Sequence, residues 1–289
     1  MITEPDVKTV NANHVKPTSW SLWTRQTLAI LRLELKKNFL SRRALLLYLA
    51  AGFPLLLLSM LALFPPATDE MQNFSQLTQV YALVYGGLIL RTLVFFGCAW
   101  VFMNLFRGEV VDRSLHYYFL APVRREVLLV GKYLSGLVAT TVLFSITTIG
   151  TVLILFFGIL PAEASRHFFD GPGASHLLAY VGVTILACIG YGAVFLLLGL
   201  FFRNPIIPGL VLYGWEWINF LLPPLLKKVS VIHYLQSLVP VPMSEGPFAV
   251  LVEPTPAWLA VPSLLLFTSV VLVLASRYIH RMEISYAGD

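Results

Sequence analysis

The stretch "VLLVGKYLSGLVATTVLFSITTIGTVLILFFGIL", residues 127–160, contains a single charged side chain, Lys132. About 20 consecutive apolar residues suffice to cross the hydrocarbon core of a bilayer as a helix, so this stretch predicts a transmembrane helix. It is long for that purpose. As one straight helix it would extend about 51 Å, whereas the core is about 30 Å thick. We therefore expect it to continue into the cytosol at its Lys132 end, or to bend near Gly150.

The composition of the whole chain agrees with this reading. Hydrophobic residues make up 57% of the 289 residues, charged residues only 12%, and the mean hydropathy is +0.78. Soluble domains are typically 45–50% apolar, so a polytopic membrane protein is predicted. Cys98 and Cys188 both lie in apolar runs and imply no disulfide framework. The first 43 residues lack the short apolar core of a signal peptide, so insertion is expected to rest on internal spans.

Six segments are apolar and long enough to be candidate spans. The fifth is short and is bounded by prolines. The six predicted spans are residues 44–64, 81–104, 127–160, 176–202, 205–222 and 257–276.

The distribution of lysine and arginine sets the expected orientation. With the N-terminus inside, sixteen of the 20 basic residues are cytoplasmic, three are outside and Arg91 lies in the membrane. Cytoplasmic loops carry such an excess, so both termini are predicted to be cytoplasmic, in the inner (cytoplasmic) membrane of a cell. The net charge of +5 thus follows membrane orientation and does not indicate nucleic-acid binding. Lys227 and Lys228, after the fifth span, are two of the three basic residues placed outside, against this rule.

Three segments outside the spans have a predicted role. Residues 1–18 are expected to form a flexible cytoplasmic tail, ahead of a single membrane domain over 19–289. Residues 20–39 have apolar side chains near helical spacing, which predicts an amphipathic helix on the cytoplasmic membrane surface; an ordinary soluble helix is the alternative. Residues 223–256 hold seven of the 18 prolines around short apolar pieces, which favours a short external re-entrant element.

No catalytic constellation is visible in the chain. "VGKYL" at 130–134 lacks the first glycine and the hydroxyl of a phosphate-binding loop, and no His-Glu-x-x-His or Gly-x-Ser-x-Gly motif occurs. His167, Asp170 and His176 lie close in sequence and could hold a metal, but a solvated polar loop is favoured. We therefore expect this chain not to be an enzyme and to bind no metal or cofactor itself.

Two ionisable residues fall inside predicted spans, where they are costly and are functional candidates. Arg91 and Glu216 lie at similar predicted depths, about 20 Å and about 17 Å from the cytoplasmic ends of their spans. We hypothesise that they form a buried ion pair beside a translocation path. Alternatively, each faces a water-filled cavity or another subunit. Trp215 and Trp217 flank Glu216 and could line a substrate cavity or belong to an interfacial aromatic belt.

The charges of the chain concentrate in residues 106–132, "FRGEVVDRSLHYYFLAPVRREVLLVGK", between spans two and three. Residues 112–122 can form a short helix that Pro122 ends, because residues before proline avoid the helical region. An aromatic surface surrounded by charges of both signs suits docking to a soluble partner. The alternative is that the charges only set the membrane orientation and the aromatic residues rest on the bilayer surface. The candidate docking residues are Glu109, Asp112, Arg113, Leu115, Tyr118, Phe119, Pro122, Arg124 and Arg125.

This loop resembles that of the permease (transmembrane) subunits of type-2 ABC exporters, the ABC-2 class. In that family an acidic residue after span two leads into a short helix, a Pro-x-Arg/Ser-Arg turn and an apolar Gly-Lys start of span three. Glu109, Pro122, Arg124 and Arg125 occupy those positions, followed by Gly131 and Lys132. The likeness extends to the surface helix, the six spans, the small outer loops and the kinked external segment.

The resemblance implies a fold, a mechanism and partners. The fold is an all-α polytopic membrane protein with six transmembrane helices, and residues 109–122 are the coupling helix that docks on a separate ABC ATPase subunit. ATP and Mg²⁺ are bound by that partner, and a second permease subunit completes the path, which works by alternating access. A transmission or anchor subunit that moves no solute is the main alternative, and a polytopic membrane enzyme is disfavoured by the absent catalytic groups.

Overall fold

The computed structural model describes residues 19–41, 44–64, 73–111, 123–241, 243 and 254–281. Within these residues the chain is helical, and no strand occurs. The helices are α1 Ser19–Leu40, α2 Ala44–Leu63, α3 Phe74–Val111, α4 Arg125–Ile159, α5 Pro161–Phe169, α6 Gly173–Phe201, α7 Ile206–Ile218, α8 Pro224–Lys227, α9 Val231–Gln236 and α10 Ala257–Arg281.

Five helices are long and apolar enough to cross a membrane: α2, α3, α4, α6 and α10. They correspond to predicted spans one, two, three, four and six, so the helical fold class is confirmed for the described residues, with five helices that could each cross a membrane. Three of them, α3, α4 and α6, are longer than a bilayer requires, and α4 runs as one helix of 35 residues from Arg125 to Ile159. Its helical hydrogen bonds continue through Gly150, so the helix is not interrupted at the residue where one of the two expectations placed a bend.

Helix α3 contains an irregular stretch that apolar periodicity does not predict. Phe74–Leu83 is α-helical, Val84–Val94 is π-helical and Phe95–Val111 is α-helical again. The hydroxyl of Thr92 donates to the carbonyl of Gly87, 3.0 Å away and five residues earlier. π-Helical turns are rare and occur frequently at functional sites. Arg91, one of the two charged residues expected in the membrane, lies in this stretch.

Helix α6 is the centre of the bundle and packs against α3, α4, α9 and α10. Its contact with α3 is unusually close at Gly199, where an added Cβ atom would lie 2.8 Å from the carbonyl oxygen of Met103. No real Cβ atom sits so near a backbone oxygen, so the two backbones can meet only because residue 199 has no side chain.

The segment predicted as span five is the shortest of the apolar helices. α7 covers 13 residues and continues as the 3₁₀ turn Asn219–Leu221, a combined length of about 26 Å. The short helices α8 and α9 follow, and α9 is buried between α6 and α10. An added Cβ on Gly190 of α6 would meet the Val231 side chain at 3.2 Å, so α9 begins beside the middle of α6.

Candidate functional site

The start of α4 is joined to three other helices, and we call residues Arg124, Arg125, Glu126, Gly131 and Lys132 with their contacts the α4 junction. The guanidinium of Arg124 lies over the ring of Trp23 in α1, 4.7 Å from its centroid, a cation–π contact. Arg124 is the N-cap position of α4. The residue that precedes the long helix is therefore attached to α1 through its side chain.

The next two residues attach α4 to the end of α10. Arg125 donates from one nitrogen, Nη1, to the carbonyl oxygens of Ile279 and His280, at 2.9 and 3.0 Å. These carbonyls belong to the last turn of α10, where backbone oxygens lack partners within the helix. Glu126 also lies 2.9 Å from the Nε2 atom of His280, although both side chains are half exposed. A cation at the end of a helix complements its dipole, so the geometry of this contact is favourable.

The strongest contact of the junction is buried. Lys132 Nζ lies 2.6 Å from Glu34 Oε1 of α1 and donates to the carbonyl oxygen of Leu105 in α3 at 3.0 Å. The side chains of Lys132 and Glu34 are 0% and 2% exposed. Burial removes both charges from water, so each depends on the other for its stabilisation. One ammonium group thus holds α1, α3 and α4 together.

Gly131 explains why α1 can approach α4 so closely. A Cβ atom at this position would lie 3.0 Å from Cγ2 and 3.1 Å from Cβ of Ile30. Both distances are tighter than ordinary van der Waals contact, so a larger residue would push α1 away from the Lys132–Glu34 pair. The Gly-Lys sequence that was singled out at the start of span three therefore has two packing roles against α1.

Most of the predicted docking segment lies outside the described residues: this applies to Asp112, Arg113, Leu115, Tyr118, Phe119 and Pro122. Glu109 lies in the last turns of α3, and its side chain is also outside the description. Arg124 and Arg125 are the two predicted docking residues that are described. Both contact other helices of this chain through their side chains, a role that the sequence did not indicate.

Arg91 and Glu216 are both buried, with exposed fractions of 3% and 2%. The guanidinium of Arg91 lies 5.5 Å from the ring centroid of Trp217. The Tyr191 hydroxyl of α6 donates to Glu216, and Trp217, the next residue of α7, contacts Arg91 of α3. The sequence was therefore informative about their shared location, since residues from α3, α6 and α7 meet there.

The hydrogen bonds described for Glu216 come from groups other than its predicted partner, Arg91. The carboxylate of Glu216 accepts four hydrogen bonds: from Ser230 Oγ at 2.7 Å, the backbone N–H of Ile232 at 3.0 Å and of Val231 at 3.2 Å, and the Tyr191 hydroxyl at 3.3 Å. Glu216 thus caps the N-terminus of α9, where unpaired N–H groups and the helix dipole favour an anion. The prediction rested on the depth of Glu216 in its predicted span, and that depth carries no information about where α9 lies.

The two tryptophans differ in their surroundings. Trp215 is partly buried, whereas Trp217 is 37% exposed and contacts Tyr213 as well as Arg91. Their assignment to a translocation path stays a prediction.

The histidines suggested as metal ligands lie at the α5–α6 corner. The rings of His167 and His176 have centroids 5.7 Å apart, and His167 also packs on Phe74 at 4.7 Å. Partial burial and the neighbouring His176 lower the pKa of His167 below 6.5. Within the described part of the chain, no three His, Cys, Asp or Glu side chains form a group that could hold a metal ion.

Sequence reasoning missed Glu34, although a signal for it existed. It is the only acidic residue of α1, and it falls on the same helical stripe as Trp23, Thr27 and Ile30. A lone carboxylate on an apolar stripe requires a buried cation, and Lys132 is the only charged residue between 127 and 160.

No protein-family model matches the chain, and no curated protein matches it significantly.

Proposed function

We propose that this chain is the membrane-spanning permease subunit of an ATP-driven ABC exporter. In this proposal a second permease subunit completes the path, and a separate ATPase subunit docks on residues 109–122. The observation that carries the proposal is the α4 junction, which directly follows the predicted docking segment. Its contacts lead from that segment into α1, α3 and α10 at once.

The junction suits the transmission of force for a physical reason. A docked partner can shift a membrane equilibrium only through interactions that differ between two states of the membrane subunit. Such a difference must reach the spans through a rigid connection. Lys132, held by a buried carboxylate and a backbone carbonyl, provides a fixed point at the start of a helix of 35 residues.

The proposed path borders α3 and α7, where Arg91, Trp217 and Glu216 lie. Arg91 is in the π-helical stretch, and Glu216 holds the start of α9. Motion of α3 relative to α7 would therefore change the surroundings of both charges. The low polarity of the spans favours an amphiphilic cargo such as a lipid, a peptide or a hydrophobic drug.

The docking step can be tested by co-purification of the ATPase subunit from the native membrane. We expect Glu109→Arg, Arg113→Glu and Tyr118→Ala each to reduce the recovered ATPase several-fold while membrane insertion stays normal. Arg203→Glu, at an exposed residue just beyond α6, is the matched charge-reversal control. Recovery of the ATPase with all three variants at the level of the unchanged protein would refute the docking assignment.

Transport can be separated from simple transmission with the purified complex in lipid vesicles. A transported compound should stimulate ATP hydrolysis and should accumulate on the far side of the bilayer. Hydrolysis that responds to no added compound, together with binding of an extracytoplasmic protein, would favour the transmission subunit instead.

A further inference from the structure

The α5–α6 corner, residues 161–176, brings two histidine side chains together at the end of the bundle where the predicted outer loops lie. The imidazole rings of His167 in α5 and His176 in α6 have centroids 5.7 Å apart. His167 also packs on Phe74, the first residue of α3, with ring centroids 4.7 Å apart. One imidazole therefore contacts both the first turn of α6 and the start of α3.

The packing of His167 against α6 is close. A Cβ atom added to Gly173, the first residue of α6, would lie 2.9 Å from Cδ2 of the His167 ring. Real Cβ atoms do not come so near to other heavy atoms, so this edge of the ring rests on the helix backbone. The ring can be hydrated on that side only if α5 and α6 separate.

A small cavity of about 30 Å³ lies beside the two rings, with room for about two water molecules. Both histidines line it, together with the hydroxyl side chains of Thr78 and Tyr180. The Thr78 hydroxyl donates to the carbonyl oxygen of Phe74 at 2.8 Å. The rest of the described lining is aliphatic or aromatic and includes no carboxylate, so the cavity offers an imidazolium no counter-ion.

The charged and titratable groups around the corner can be assigned to each helix. The side chains that α3 and α4 place around the cavity carry no charge: Phe74, Thr78, Val152 and Phe156. Three charged side chains belong to α5 and the residue after it, and all are exposed to water: Glu163, Arg166 and Asp170. Salt screens such exposed charges. From α6 come His176 and the uncharged Tyr180, so the charge that can develop beside His167 in the cavity is that of His176.

Acid should therefore oppose the packed form of the corner. Partial burial, and after it the neighbouring His176, lower the pKa of His167 below 6.5, so the packed corner binds this proton less readily than an open one. The resulting stability is present above pH 6.5 and is lost as the pH falls through the lowered pKa of His167. Two positive charges 5.7 Å apart repel each other enough to change an equilibrium about threefold even in water.

We propose that the α5–α6 corner is a pH-sensitive contact, which holds the start of α3 while its two imidazoles are neutral and releases it when both are protonated. The basic residues predict that this corner lies on the outer side of the membrane, so it responds to the pH of that compartment. Release frees the part of α3 that precedes the π-helical stretch Val84–Val94. The proposal does not depend on the exporter assignment.

The test is hydrogen exchange of the full-length protein in detergent, measured by mass spectrometry at about pH 7.5 and about pH 5, on either side of the ordinary histidine pKa. After correction for the intrinsic pH dependence of amide exchange, peptides that cover 73–79 and 160–178 should exchange at least about threefold faster at the lower pH. His167→Phe keeps an aromatic ring on Phe74, and His176→Gln leaves the packing of His167 in place. Each variant should reduce the acceleration. His280→Gln, at a half-exposed histidine of the opposite end of the bundle, is the matched control and should retain it.

Two results would overturn the proposal. The first is equal corrected exchange at both pH values in the unchanged protein. The second is an undiminished acceleration in either His167→Phe or His176→Gln, which would assign the effect to the exposed acids of α5. Thermal melts at about pH 7.5 show whether each variant is folded, and His176→Gln carries the test if the larger ring of His167→Phe disturbs the corner.

Discussion

At the scale of single residues, Lys132 and Glu34 form a buried pair of opposite charges. Each is removed from water and has the other as its counter-ion. Breaking such a pair by removing one partner leaves an uncompensated buried charge, whereas removing both leaves a neutral, if imperfect, contact. The pair should therefore show strong coupling between its two members.

We expect Lys132→Met and Glu34→Gln each to destabilise the protein by about 3–5 kcal/mol, and the double variant to recover more than half of either loss. Thermal unfolding in detergent, followed by tryptophan fluorescence, measures the difference. Lys36→Met changes an exposed lysine of the same helix and should have little effect. Strictly additive losses in the double variant would contradict the pairing.

Glu216 offers a second test at this scale. Glu216→Ala removes the acceptor for the N–H groups of Val231 and Ile232, so the first turn of α9 should open more readily. Hydrogen bonds to charged groups contribute about 1.5–3 kcal/mol, which corresponds to hydrogen exchange about 10–100-fold faster at these two amides. Mass-spectrometric exchange on peptides that cover 228–238 reports the change. Glu163→Ala, at an exposed acid of α5, should leave that peptide unaltered.

At the scale of helices, the packing of α6 depends on where small residues fall. Gly199 faces the backbone of α3, but Gly182, in the same helix, has no atom within 4 Å of an added Cβ. The same substitution should therefore have opposite consequences at the two positions. This contrast isolates packing from helix propensity, because alanine favours a helix over glycine equally at both.

We expect Gly199→Ala to destabilise the protein by more than 1 kcal/mol, since α3 and α6 must separate, and Gly182→Ala to be neutral or stabilising by up to about 1 kcal/mol. Melting temperatures of the two variants in one detergent provide the comparison. Similar melting temperatures for both would show that α3 and α6 do not pack at Gly199 as described.

At the scale of the whole molecule, the arrangement across the bilayer can be mapped with single cysteines. The two native cysteines, Cys98 and Cys188, are buried and should give little background. A cysteine at the exposed Glu163 should react with a membrane-impermeant maleimide on intact cells. One at the exposed Arg203 should react only after permeabilisation. The reverse pattern would invert the orientation predicted from the basic residues.

Apolar run length located five spanning helices, because burial in lipid imposes that signal on the sequence. It could not locate α9, since Val231, Ile232 and Leu235 form too short a run for a span, although the short apolar pieces of 223–256 did favour a re-entrant element. The packing of α1 on α4 was also missed. An amphipathic pattern shows that one face is covered, but not whether lipid or protein covers it. The Glu216 contacts were not predicted, because three of the donors belong to Ser230, Val231 and Ile232, and the sequence did not specify which side chain this segment would contact.

In α3, the number of residues held in the π-helical stretch Val84–Val94 sets how the rest of the helix is rotated about its axis. A π turn closes its hydrogen bonds five residues back instead of four, so it holds an extra residue per turn. Each residue taken out of or added to such a turn rotates everything beyond it by about 100°, the angle between successive α-helical residues. Arg91 stands inside this stretch, and the Leu105 carbonyl that holds Lys132 stands beyond it. The number of residues per turn therefore changes midway along α3, at the stretch that contains Arg91. The part of α3 beyond this stretch is held to α4 through the Leu105 carbonyl.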